Sequence, residues 1–219
     1  MELVYKFFEY FSLFLIYSFI GWLFEVFLAL VKEHKFINRG FLIGPILPIW
    51  GSGAMLITLI LKPSDSIFNL IVSSAFIGTS LEYVVNYLME KLFKARWWDY
   101  SHLPFNINGR VWLGASATFG VGGLFVIEFL NPCFLNLLGT IDKSLLIYIG
   151  SVLLLIMIID LCVSCKIIKN LKLSVNHLKK DYTEEISKKV KSVLSEKSRE
   201  FSRLLKAFPN VNFSLKQKK

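Results

Sequence analysis

Charge is what this sequence has least of: only 19% of its 219 residues are Asp, Glu, Lys or Arg, against 54% apolar and 15% aromatic. A soluble domain carries about 25% charged residues, so the deficit excludes a disordered chain and a water-soluble globule. Cysteine is equally thin. Cys133, Cys162 and Cys165 make an odd count at no framework spacing, which excludes a disulfide scaffold. Cys162 and Cys165 form a C-x-x-C inside an apolar run with no strand before it. The plain reading is two small packing residues near a membrane edge; a redox or metal role, or palmitoylation, is the sharper one. Also missing are G-x-x-x-x-G-K-[ST], H-E-x-x-H and G-x-S-x-G, so no P-loop, zincin or hydrolase motif is present. His34, His102 and His177 are scattered, no cofactor or metal is expected, and no nucleic-acid motif occurs. Met1–Phe11 lacks a basic start and a small-x-small cleavage pattern, so the first apolar run reads as a retained helix rather than a signal peptide.

What the chain has instead is apolar residues in five separated runs, each long enough to cross a bilayer at about 20 residues. They cover Phe8–Val31, Phe41–Leu61, Ile67–Leu92, Val111–Leu130 and Lys143–Cys165. The expected fold class is all-α: a polytopic membrane protein with a transmembrane domain over 1–165 and a basic tail over 166–219. Lys and Arg alternate across the runs. One set of connections holds 22 (Lys32, Lys35, Arg39; Lys91, Lys94, Arg96, Arg110; the 15 of the tail), and the other holds Lys6, Lys62 and Lys143. Because positive residues stay on the cytoplasmic side, the N-terminus is expected outside and the C-terminus in the cytoplasm of a multi-pass cell-membrane protein. The net charge of +9 therefore reflects topology rather than a nucleic-acid partner.

The second run is irregular, with Gly40, Gly44, Pro45, Pro48, Gly51 and Gly53 inside fourteen residues. Proline removes a backbone donor and clashes with the preceding turn, so a broken or re-entrant start is expected. The alternative is a helix beginning only after Pro48, with Asn38–Pro48 as an interfacial loop. In the fourth run Gly114, Ser116, Ala117, Gly120, Gly122 and Gly123 favour close helix packing. The tail spaces Leu171, Val175, Leu178, Tyr182, Ile186, Val190, Val193, Phe201, Leu204 and Phe208 three or four apart for the most part, which predicts a long amphipathic helix over Lys169–Phe208. Its stripe suits the anionic inner leaflet, a copy of itself or a partner.

Ionisable groups inside spans cost about 3 kcal/mol each. Glu25, Glu82 and Asp160 fall in the cytoplasmic halves of their runs, with Glu90 near the edge and Arg39, Arg96, Asp99 and Arg110 in the adjoining loops. The functional reading is a polar cavity open to the cytoplasm, with Asn38 and Asn106 beside these charges. The structural reading is that Glu25 and Glu82 pair with the arginines to lock helices. Between Arg96 and Arg110 lie Trp97, Trp98 and Tyr100, suited to a membrane interface, and the turn formers Pro104, Asn106, Asn108 and Gly109. This segment is either an interfacial elbow or a docking or gating element.

Several pieces together resemble the CmpB-like family of bacterial membrane proteins, described as type IV ABC-transporter permeases. They are Gly21-Trp22 with Glu25; Asn38-Arg39-Gly40-Phe41-Leu42-x-Gly44-Pro45-x-x-Pro48-Ile49 with Gly51; Leu81-Glu82-Tyr83; Glu90; Arg96-Trp97-Trp98-Asp99-Tyr100-Ser101; and Pro104 through Asn106 to Gly109-Arg110. The resemblance covers roughly residues 20–123, with Trp50 where Tyr is expected and the tail outside it. It implies a permease-like subunit. The leading expectation is thus a transporter membrane subunit, homo- or hetero-oligomeric in the lipid bilayer, with a separate ATP-binding subunit at the 96–110 loop. Glu25 and Glu82 would bind a cation, proton or polar headgroup, and Gly44, Pro45, Pro48, Trp97, Trp98, Tyr100 and Gly109 would shape or gate the site. The rivals are a membrane enzyme on a lipid-linked or amphiphilic substrate, with Arg39, Arg96 and Arg110 holding phosphate, and an assembly or regulatory protein acting through its tail.

Overall fold

Uninterrupted apolar sequence becomes helix, and the first half of the glycine–proline cluster (Gly40, Gly44 and Pro45) does not. The computed structural model describes residues 1–63, 65–93, 95–180, 198–208 and 211–213. The helices are α1 (Glu2–Glu33), α2 (Pro48–Ile60), α3 (Ile67–Phe93), α4 (Leu113–Phe125), α5 (Asn131–Gly139), α6 (Lys143–Lys180) and α7 (Arg199–Ala207). Two-residue strands β1 (Ala95–Arg96), β2 (Asn106–Ile107), β3 (Val111–Trp112) and β4 (Asn212–Phe213) pair antiparallel as β1–β4 and β2–β3.

Among the described residues four helical stretches are long and apolar enough to cross a membrane: Glu2–Glu33, Ile67–Phe93, Leu113–Gly139 and Lys143–Leu171. The remaining run yields only α2, 13 residues or about 20 Å at 1.5 Å per residue, shorter than a hydrocarbon core of about 30 Å. Pro48 opens it at the first turn, where a missing N–H and a preset φ cause no loss. Asn38–Leu47 precedes it as irregular backbone. That segment is tied inward, the Leu47 N–H donating to the Ser18 carbonyl at 2.9 Å.

The fourth span does not stop at Leu130. α4 passes through one π turn, Val126–Leu130, straight into α5 and ends at Gly139. Asn131 and Pro132 look like a helix end in sequence. Here Pro132 sits in the first turn of α5, and the buried Asn131 carboxamide points inward, accepting from Tyr17 Oη at 2.6 Å and exchanging bonds with Thr58 Oγ1.

α3 packs chiefly on α4, and α1 on α2 and α6. One core joins Leu13, Tyr17, Ile57, Leu70, Ile127 and Leu146. Large apolar side chains such as Phe27, Phe76, Phe129 and Leu155 point outward, as expected of a chain solvated by lipid. At one end of the bundle a Glu2–Lys143 ion pair of 3.0 Å joins the starts of α1 and α6. At the other, here termed the loop end, a second core gathers Phe93, Trp97, Ile168 and Leu171 with Phe201, Leu204 and Val211 of the C-terminal segment.

The tail is thus not one continuous helix from Lys169 to Phe208. Ser198 is extended (φ −159°, ψ 138°), and the nine-residue α7 starts after it. Tyr182, Ile186, Val190 and Val193 lie outside the described residues, as do the side chains of Val175 and Leu178. Leu171, Phe201, Leu204 and Phe208 pack on this chain's own loop end.

Candidate functional site

At the loop end, Asp99 accepts from the Ser101 backbone N–H (2.9 Å) and hydroxyl (2.5 Å) through one oxygen and from Arg96 Nη1 (3.2 Å) through the other. The Ser101 bonds, with Arg96 adding to them, hold its carboxyl below the usual range. Asn106 folds the next turn, donating to the Leu103 carbonyl at 2.7 Å and accepting from the Gly109 N–H at 2.9 Å. Phe105, Asn108 and Gly109 all have positive φ (53°, 53° and 66°), which Gly and Asn tolerate. Trp98 donates to the Arg110 carbonyl, closing the loop on itself.

The arginines bind this loop to α3. Arg110 Nη1 lies 2.8 Å from Glu90 Oε2 and 2.5 Å from Asn86 Oδ1, and its guanidinium stacks over Tyr83 and Tyr87 at 5.6 and 5.4 Å. Arg96 reaches the same Glu90 oxygen at 3.6 Å and donates to the Asn108 carbonyl at 2.7 Å. Asn86, 2% exposed, bridges Arg110 to the Trp98 carbonyl. Trp97 is buried between Phe41, Phe93 and Phe208.

Glu25 and Glu82 belong to a different group. Glu82 is 7% exposed; one oxygen accepts from Tyr100 Oη at 3.3 Å, and the other is buried without a partner among the described residues. Burial pushes the Tyr100 phenol above its ordinary range, the neighbouring Glu82 and Glu25 carboxylates push the same way, and Arg39 opposes them. Glu25, Glu82, Tyr100 and Arg39 therefore share one electrostatic neighbourhood. Arg39 nevertheless pairs with Glu33. Among the described residues neither Glu25 nor Glu82 has an ion-pair partner.

The irregular segment before α2 is organised by side chains. Asn38 accepts from Trp22 Nε1 and the Gly40 N–H, and donates to the Ile43 carbonyl, all at 3.0 Å. Asp160 of α6 accepts from the N–H of Ile43 (2.9 Å) and Gly44 (2.7 Å). Arg203 of α7 donates to the carbonyls of Gly40 (3.0 Å), Leu42 (2.9 Å) and Phe41 (3.4 Å).

The expected site residues thus fall into three groups. Arg96, Asp99, Arg110 and Asn106 lie in the loop locked onto Glu90, and Asn38, Gly44 and Pro48 shape the segment leading into α2. Glu25 and Glu82, with Tyr100 and Arg39, form the third group. Sequence reasoning did not reach Asn86 or Arg203, and it gave Tyr83 no role beyond its place in the Leu81-Glu82-Tyr83 motif. Asn86 had a signal, since Glu82, Asn86 and Glu90 recur every four residues and so share one face of the helix. Arg203 had none, because its partners are backbone carbonyls. No three His, Cys, Asp or Glu residues gather as a metal site requires among the described residues.

The long apolar helices and the polar groups gathered at one end of the bundle define an integral membrane protein of the all-α class. More particularly, the chain belongs to the family described as "Putative ABC-transporter type IV", whose family model matches residues 12–165. No curated protein and no solved structure matches it.

Proposed function

We propose that the protein is the membrane subunit of a transporter, with a polar site at Glu25 and Glu82 that faces the cytoplasm and binds a cation, proton or polar headgroup. Each chain contributes five spans, the second being α2 extended by the irregular Asn38–Leu47 segment. Broken backbone is tolerated in a bilayer where it is packed in protein. The loop end lies in the cytoplasm and the N-terminus outside. Residues 1–165 form the transmembrane domain and 166–219 the cytoplasmic tail; the subunit works as an oligomer and draws on a separate ATP-binding subunit.

The observation that carries the site is Glu82, nearly buried, with one oxygen bonded to Tyr100 and the other without a partner among the described residues. A merely structural carboxylate at that depth would be expected to take one of the arginines, because an unpaired charge is costly to bury. Arg39, Arg96 and Arg110 are engaged by Glu33 and Glu90 instead. That also weighs against a phosphate-holding enzyme.

Glu82→Gln and Glu25→Gln test the site in proteoliposomes holding the subunit and its co-purifying partners. Uptake should fall at least tenfold for Glu82→Gln with expression and melting unchanged; unchanged uptake would remove Glu82 from the site. Mass spectrometry of the complex purified in mild detergent tests the class. A stoichiometric ATP-binding subunit is expected, and a clean homo-oligomer without one would overturn the permease reading.

A further inference from the structure

The five residues Gly40–Gly44 lie outside any helix, yet their backbone is gripped from two sides. Carbonyls 40, 41 and 42 accept from Arg203, and N–H groups 43 and 44 donate to Asp160. Irregular backbone in an apolar setting needs partners for its polar groups; two charged side chains supply five of them here, and Asn38 serves the Gly40 N–H and the Ile43 carbonyl. They come from very different places. Asp160 is part of the long helix α6, where its carboxylate also accepts from Ser164 Oγ at 2.9 Å. Arg203 belongs to α7, a nine-residue helix.

A helix that short is marginal in water by itself. α7 is held by Phe201 and Leu204, buried against Trp97, Ile168 and Leu171, and by Arg203. Just beyond it β4 pairs with β1, Ala95 opposite Phe213 and Arg96 opposite Asn212. One C-terminal segment therefore touches both loops of the loop end: the one that carries Arg39, and the one that carries Tyr100 to Glu82.

The geometry points to a latch: α7, with β4 beyond it, holds the backbone of residues 40–44 against Asp160, and undocking of α7 frees both loops at that end together. Folding and docking of α7 are one event, which makes the latch two-state rather than gradual. Arg203 is its positioning residue, because a planar fork reaches three successive carbonyls where a lysine ammonium offers a point charge. The latch itself stands on the contacts that α7 and β4 make with the loop end. Its consequence, that undocking opens the Glu25–Glu82 site, rests on the functional reading above.

The test uses the full chain in lipid nanodiscs, with Cys133, Cys162 and Cys165 replaced by Ser and Leu42→Cys introduced. Leu42 is 1% exposed, so the thiol introduced there should react slowly with a water-soluble maleimide. Arg203→Ala should raise that rate at least tenfold at an unchanged melting temperature, with Arg203→Lys in between. Labelling of Arg203→Ala at the parental rate overturns the latch. Should Arg203→Ala fail to fold, hydrogen exchange on the unaltered chain decides. The amides of Ile43, Gly44 and β1 should exchange together with those of α7; loop amides that stay protected while α7 exchanges freely overturn it. Neither readout depends on transport, so a failed latch and a failed transport site are told apart.

Discussion

Gly109 shows how much of the loop end depends on single residues. Its φ is +66°, and a Cβ there would collide with Ser101 Oγ and Asp99 Oδ1, the two side chains that hold the preceding turn. Gly109→Ala should therefore destabilise the protein by about 1–3 kcal/mol, read as a lower melting midpoint by tryptophan fluorescence. Asp99 makes the same turn pH-sensitive. Its carboxyl is held below the usual range by Ser101 and then Arg96, so the ionised form is favoured in the fold. The stabilisation is complete above the ordinary carboxylate pKa of about 4 and is lost as pH falls through the lowered folded value. Protection of the Ser101 amide, relative to its intrinsic exchange rate, should fall as pH drops through that lowered value, and Asp99→Asn should abolish the step. Glu82 shows the limit of reading residues singly: its burial could be inferred from its place in an apolar run, but its bond to Tyr100 could not.

At the scale of elements, α2 explains why the second span reads ambiguously. Gly51 lets it approach α1 closely, because a Cβ there would collide with Ser18 Oγ and stand 2.6 Å from the Phe14 carbonyl oxygen. The backbone oxygen cannot rotate away as a side chain can, so Gly51→Ala must push α2 off α1. A loss of about 1–3 kcal/mol is expected from overpacking, visible as reduced detergent-extracted yield and a lower melting midpoint; a neutral outcome would contradict the packing. The π turn before Asn131 makes the complementary point. Asn131 and Pro132 are turn formers by composition, yet the turn is absorbed into a helix because the Asn131 side chain finds Tyr17 and Thr58 inside the bundle. Local propensity yields there to a long-range hydrogen bond.

For the molecule as a whole, the alternation of Lys and Arg is the organising feature. The Glu2–Lys143 end carries few of them, and the loop end gathers Arg39, Arg96, Arg110 and Arg203. If the loop end is cytoplasmic, protease added to inverted membrane vesicles should remove a tag fused after Lys219, while right-side-out vesicles should protect it. The reverse result would invert the topology. Membrane class, four of the five expected spans, the break before Pro48 and the concentration of polar groups at one end were legible in the sequence, since they follow from composition and from residues near one another in the chain. The pairing of those groups was not. Arg96 and Arg110 chose Glu90 over Glu82 because the Arg96–Arg110 loop folds back on the last turns of α3.

The sequence by itself determined that this chain is a helical membrane protein, that four of its apolar runs become long helices, and that helix could not run through Gly44 and Pro45. Hydropathy, helical period and proline chemistry act locally, so they survive without a fold. Only the tertiary structure decided which carboxylates are paired and which are left, and that the tail's apolar positions meet the loop end. Those outcomes depend on contacts between residues up to 163 positions apart, such as Arg203 on the Gly40 carbonyl, and a backbone acceptor leaves no trace in residue type.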